Sequence, residues 1–389
     1  MNYRLNAFGF LASKEVQEDG ITNLGFHDQR LALKWVQKYI SSFGGDPNQV
    51  TVWGHSAGAA SVALHLVAFD GNSDALFHRA FMHSGGPWRL PHVLDGQGDY
   101  DFLVSETNCS AQADTLSCLR HAPYEDMLAA INRTANVFSY QSLNFAWTPR
   151  IDGAMIQRQP YESLVQGKYL KVPTLAGNCD DEGTLFSFST LNLTTSHEFS
   201  SYINRIYLPT ADTSQMRAVL EAYPDDPAQG SPFGTGDQNI VGPQFKRMAA
   251  FQTDLIFMGP RRFFLQATSS NMATWSFLIK RGKNTPGVGA AHISDLPLWT
   301  AARTIADYFP ADALIHFINV GDPNINSAAH GGASESRNLT LYWPQWGTGN
   351  SSSLLVLSDP DQAIIGRDDF RAQPIALLNQ LQLHLPLWN

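Results

Sequence analysis

No stretch of this 389-residue chain stays apolar for the about 18 residues that a membrane-crossing helix needs. Positive charge is also scarce: 26 Lys and Arg against 35 Asp and Glu leave a net charge of −9. That balance argues against a nucleic-acid partner, because phosphate binding requires clustered Lys and Arg. No internal repeat, low-complexity tract or Pro/Gly/Ser linker divides the chain. Charged residues make up only 16%, yet hydrophobic ones reach 43%, a globular balance with ample material for a core. One domain spanning 1–389 is the simplest organisation, with surface excursions.

Cysteine is nearly absent, with three in all. Cys109 and Cys118 stand close enough in sequence to close a small loop, whereas Cys179 stands apart. An odd count suggests one bridge and one free thiol, and a buried inert thiol is the expectation for Cys179. Five N-x-[S/T] sequons occur, at Asn108, Asn132, Asn192, Asn338 and Asn350. With a disulfide they lean toward a secreted protein. The opening MNYRLNAFGFLAS is no convincing signal peptide, since Asn6 interrupts an already short apolar run.

A helix is predicted from Asp28, as N-cap, to Phe43, with Ala32, Trp35, Val36, Tyr39, Ile40 and Phe43 forming one apolar stripe before Gly44-Gly45. Val50 to Trp53 is β-branched and reads as a buried strand, and Ala57 to Val67 reads as a helix packed on a sheet. Val172–Ala176 and Thr274–Ile279 look like further core strands. Alternating strands and helices give an α/β fold with a mainly parallel sheet. Ser187 to Gln266 reads as mostly helical, broken by a turn-rich patch from Tyr223 to Gly236 that is expected to lie over the main domain's surface.

Between the first strand and its helix stands Gly54-His55-Ser56-Ala57-Gly58. A bare G-x-S-x-G occurs by chance, but strand, motif and helix in succession make a nucleophile elbow. The two glycines are expected to relieve crowding there, and the helix N-terminus points its amides toward a developing oxyanion. A serine hydroxyl needs a base, and the base an orienting acid; in α/β-hydrolases the chain order is Ser, then Asp or Glu, then His. His78, His83 and His92 follow the elbow too closely for that order, and His316 sits in an apolar run as a core histidine would. His292 follows a strand and a glycine-containing loop, where catalytic groups usually sit. Glu182, in Asp180-Asp181-Glu182-Gly183, is an acid candidate, although such loop clusters are commonly just solvated. No His/Cys cluster has metal-ligand spacing, so no metal or organic cofactor is expected.

The runs NYRLNAFGFLAS and NLGFHDQRLALKWVQKYISSFGGDPNQVTVWGHSAGAAS resemble the type-B carboxylesterase/lipase family, which contains cholinesterases and secreted fungal lipases. FMHSG, Ile151-Asp152-Gly153, VPTLAGNCDDEGTLF, GAAHISDLP, Trp343-Pro344 and Asp369-Phe370-Arg371 continue it in order along nearly the whole chain. YPDDPAQGSPFGTG is most similar to the fungal extracellular branch. The resemblance implies an α/β-hydrolase fold and hydrolysis of small-molecule or lipid esters through an acyl-enzyme. It assigns Ser56 as nucleophile, Glu182 as acid, His292 as base and the Ala57 amide as an oxyanion donor. It also implies a Cys109–Cys118 disulfide, an Arg4–Asp28 ion pair stapling the first loop, Ser84 near the base and Trp88 at the acyl pocket.

Two departures stand out. The family usually has Glu where this chain has His55, and that Glu tunes the electrostatics behind the catalytic histidine. The family also carries a segment before NYR, with early strands and a His-Gly-Gly-Gly-type loop supplying two oxyanion amides. This sequence lacks that motif and, by the resemblance, begins inside a core strand. The expectation is an N-terminally incomplete chain, poorly soluble and weakly active or inactive. A non-catalytic binding member of the same fold is the alternative, and an unrelated transferase on the same elbow a third. Substrate chain length and oligomeric state are not fixed by these residues.

Overall fold

Six strands form one sheet whose spatial order follows the chain: β1 (Thr51–His55), β2 (Arg79–His83), β3 (Thr174–Cys179), β4 (Thr274–Ile279), β5 (Ser353–Ser358) and β6 (Gln362–Arg367). β1 to β5 are parallel, and β6 returns antiparallel along β5. This computed structural model describes residues 1–72, 74–300, 309–324 and 341–385. The expected α/β fold with a mainly parallel sheet is observed. β2 escaped the sequence reading because Arg79-Ala80-Phe81-Met82-His83 is buried throughout, so no polar alternation marks it.

The first helix boundary differs from expectation. The helix runs Leu24–Tyr39, with Asn23 in the left-handed region as its cap, and Ile40–Phe43 continues as a 3-10 turn. Asp28 therefore lies inside the helix rather than at its start. There its carboxylate accepts from Arg4 Nε (2.8 Å), Arg4 Nη2 (2.7 Å) and the Arg4 amide (3.0 Å). This is the ion pair the resemblance implied. It is largely exposed, so its fork geometry fixes the chain more than its charge stabilises it.

The apolar stripe on this helix also faces the other way. Trp35, Tyr39 and Phe43 are exposed and pack on one another, whereas Phe26, Gln29, Arg30 and Leu33 face the core. Periodicity finds an apolar face but not its cover. Polar residues can occupy the inner face because each has a partner: Gln29 bonds Ser61 (3.2 Å), and Arg30 reaches Asp74 (2.7 Å). Met1 to Leu5 form no strand, contrary to the expectation of a core strand there, because none of their backbone joins a ladder with the described strands.

The helix Ala57–Val67 packs its Ala59, Val62, Ala63 and Leu66 against the sheet. The 187–266 stretch is helical as expected, in Ser196–Ile206, Thr213–Ala222, Phe245–Gln252 and the turns that follow. Its Phe199, Tyr202, Val219, Phe251 and Leu255 build a second core with the Ala372–His384 helix. Cys109 and Cys118 are bonded, and Cys179 is buried and free. Burial pushes the Cys179 thiol well above its usual range, which keeps it protonated and inert. Asn108, Asn132 and Asn192 are exposed, and Asn338 lies outside the described residues.

His65, on the Ala57–Val67 helix, is buried against Phe26 with its Nε2 3.1 Å from Gln29 Oε1. Burial, and next the Arg30 charge, push it down to about 3. An unfolded histidine titrates near about 6.5. The folded state therefore resists a proton that the unfolded state accepts below that pH. The stability this neutral histidine supports is complete above about pH 6.5 and is eroded as pH falls toward 3, by up to about 1.4 kcal/mol per pH unit. Urea midpoints at pH 7 and 4.5 should differ less in His65→Gln than in the parent chain.

Candidate functional site

Ser56 follows β1 and caps the next helix with φ 56° and ψ −119°, a positive-φ conformation that non-glycine residues rarely adopt. Two backbone hydrogen bonds hold the strain in place. The Ser56 amide donates to the His83 carbonyl of β2 (2.9 Å), and the Ser56 carbonyl accepts from Ala60 (3.0 Å). The two motif glycines are not equivalent. A Cβ on Gly54 would lie 2.1 Å from the Gly58 carbonyl oxygen, whereas one on Gly58 would meet nothing within 4 Å. Only Gly54 relieves crowding, which corrects the expectation for the pair. Gly85 makes a second close approach, because its Cβ would fall 2.7 Å from the Ser56 carbonyl oxygen.

Glu182 follows β3 and is wholly buried, as are Asp180 and Asp181, so this acidic loop is not a solvated cluster. Glu182 Oε1 accepts from the Cys179 amide (2.8 Å), and Oε2 lies 2.5 Å from His292 Nδ1. A carboxylate at Nδ1 fixes the ring orientation and leaves Nε2 as the free nitrogen. The two loops are joined by Asp181. Its carboxylate accepts from the Ala290 amide (2.9 Å), the Phe233 amide (2.8 Å), Ser231 Oγ (2.9 Å) and Lys283 Nζ (2.7 Å). Its own amide donates to the Ala290 carbonyl (3.0 Å). Asp181 thus clips the Glu182 loop to the chain two residues before His292.

His55 connects this pair to the elbow. Its ring centroid stands 4.7 Å from that of His292 and 4.7 Å from that of His83, its cross-strand partner at the ends of β1 and β2. His83 Nε2 in turn bonds Asp295 Oδ2, on the loop that carries His292. Phe186 and Phe257 cover His292 at 5.2 and 5.1 Å. Burial, then the His83 and His292 charges, push His55 down to about 3, so it is uncharged at neutral pH. Burial acts to raise Asp295, but His83 outweighs it and holds the carboxyl below its ordinary range.

Ser84 is fully buried with φ 55° and its amide bonded to the Gly177 carbonyl (2.8 Å). Trp88 donates from Nε1 to the Ile256 carbonyl (2.7 Å). It joins Ala57, Phe10, Leu64 and Trp147 in lining a largely apolar cavity of about 630 Å³. His78, His92 and His316 lie outside this arrangement: His92 caps a 3-10 turn, and His316 Nδ1 is 2.6 Å from the Asp322 carbonyl oxygen. Asp181, His83 and Asp295 were missed from sequence. The sole trace of the last pair was the family-like runs FMHSG and GAAHISDLP, since juxtaposing His83 with His55 requires the parallel register.

The model of the carboxylesterase family matches residues 1–367. The chain belongs to the carboxylesterase family. It is 36% identical over 389 residues to the secreted triacylglycerol lipase LIP1 of Gibberella zeae, covering 95% of the chain and 63% of that protein. It is 37% identical over 364 residues to secreted lipase 1 of Botryotinia fuckeliana, covering 89% and 61%. The chain thus spans under two thirds of these relatives. Among solved structures it is similar to Aspergillus niger EstA, with a TM-score of 0.79, 25% identity, and coverage of 98% of the chain and 73% of that structure.

The geometry of this carboxylesterase-family elbow separates its glycines by experiment. Gly54→Ala must displace backbone, so it should lower stability by about 1–3 kcal/mol or abolish folding. Gly58→Ala should melt within a degree or two of the parent, or slightly higher, because open space receives its methyl. Thermal unfolding of both variants tests this.

Proposed function

We propose that the chain hydrolyses carboxylic esters, with Ser56 as nucleophile, His292 as general base and Glu182 as its orienting acid. The observation that carries this reading is the 2.5 Å contact between the buried Glu182 carboxylate and His292 Nδ1, on a ring packed beside the residue preceding Ser56. In this mechanism His292 Nε2 takes the Ser56 proton as Oγ attacks the ester carbonyl. Glu182 holds the imidazole and stabilises the imidazolium that forms. The tetrahedral oxyanion develops at the N-terminus of the Ala57–Val67 helix, where the Ala57 amide donates and the helix dipole favours negative charge. His292 then protonates the departing alcohol, and water repeats the sequence on the acyl-enzyme.

The substrate class follows from the cavity beside Ala57. Its apolar lining suits the hydrocarbon part of a small-molecule or lipid ester. An extracellular setting is supported by the disulfide, the exposed sequons Asn108, Asn132 and Asn192, and relatives named as secreted. These 389 residues supply the Ala57 amide to the oxyanion but carry no His-Gly-Gly-Gly run.

A fluorophosphonate probe should label the parent chain and fail to label Ser56→Ala. Hydrolysis of p-nitrophenyl butyrate by Glu182→Gln should fall by roughly 10³–10⁴ in kcat. Equal labelling of parent and Ser56→Ala would remove the nucleophile from the proposal, and a non-catalytic binding role would then be favoured.

A further inference from the structure

Behind the candidate catalytic histidine, three side chains converge that the proposed hydrolysis does not use. His55 ends β1, His83 ends β2, and Asp295 sits on the loop after His292. One donor atom from each lies within 4.8 Å of the others. His83 and Asp295 are completely buried. Among the described residues, three buried polar atoms of this trio, His55 Nε2, His83 Nδ1 and Asp295 Oδ1, find no hydrogen-bond partner. Leaving one such atom unpaired typically costs about 1–3 kcal/mol, so His55 Nε2, beside the joined His83 Nε2 and Asp295 Oδ2, calls for a ligand.

We propose that His55, His83 and Asp295 form a binding site for a divalent transition-metal cation of the zinc class. Two imidazoles and one carboxylate suit Zn²⁺ or Cu²⁺ rather than Ca²⁺ or Mg²⁺, which prefer all-oxygen shells. Three protein ligands leave a fourth position for water. Zn–N bonds of about 2.0–2.1 Å place tetrahedral ligands about 3.3 Å apart, so the trio must contract by about 1.5 Å at its widest. His55 can supply that movement, being the half-buried member with a free Nε2. His83 and Asp295 are already joined, and the cation would take the place of the proton between them, releasing it to solvent. Trp299 Nε1 donates to Asp295 Oδ2 (3.3 Å) and steadies the carboxylate from outside the trio.

Such a cation would face His292 across the His55 ring and would oppose a second positive charge there. That consequence rests on the proposed role of His292, whereas binding itself does not, so the test reads binding.

The full chain, freed of metal with a chelator, is titrated with ZnCl₂ at pH 7.5 by calorimetry, in parallel with His55→Gln and Asp295→Asn. One equivalent bound by the parent, with affinity at least tenfold weaker in both variants, is the expected result. Co²⁺ provides a second measurement: the parent should develop the intense visible absorption of a four-coordinate ion, and His55→Gln, whose melting temperature checks its fold, should not. No zinc binding by the parent overturns the proposal. Unchanged affinity in His55→Gln also overturns it, assigning the zinc to other histidines.

Discussion

A single buried carboxylate, that of Asp181, holds the site in register. β3 delivers the Glu182 loop to the sheet's carboxyl edge, and the chain after β4 delivers His292, but neither strand dictates how the two loops meet. Asp181 does so by accepting two backbone amides, a hydroxyl and a lysine ammonium from segments far apart in sequence. Burial, and then Asp180 beside it, push this carboxyl up from its ordinary range, against the pull of Lys283. Its donors therefore do more than neutralise a charge. They fix the spacing at which Glu182 Oε2 meets His292 Nδ1.

The elbow is the second constraint, and it works by exclusion. Ser56 holds a positive-φ backbone where the Gly58 carbonyl leaves no room for a side chain on Gly54, and Gly85, just after β2, passes close to the Ser56 carbonyl. Strained backbone of this kind persists only where the surroundings over-determine it. Here β2 contributes the carbonyl that receives the Ser56 amide, and the turn after it the glycine that allows the approach. The same register sets His83 beside His55. An imidazole where the family usually has a carboxylate is accommodated by the Asp295 carboxylate one ring further on. Negative charge is thus moved back rather than removed.

Much of the fold was legible in the residues. The Thr274–Ile279 strand and the Ala57–Val67 helix stand where apolar patterning put them, and the helical character of 187–266 holds. The Glu182–His292 pairing agrees with the Ser, acid, His chain order expected for an α/β-hydrolase elbow. The failures have physical causes. Asp28 looked like a cap because acidic residues favour helix starts, but an Arg4 side chain 24 positions away claimed it. The Trp35–Phe43 stripe looked like a core face, yet burial depends on what packs opposite, and Leu33 and Phe26 won that position.

The sequence by itself determined several of the elements and named candidate reactive groups, because local periodicity, turn chemistry and the strand–serine–helix order are written in adjacent residues. It could not decide that Asp180, Asp181 and Glu182 would be buried, that Gly54 and Gly58 would carry unequal loads, or that His55, His83 and Asp295 would meet. Those outcomes depend on the register between parallel strands joined by long crossovers. Register is set by packing across the whole sheet, so only the tertiary structure brings these distant side chains to one edge.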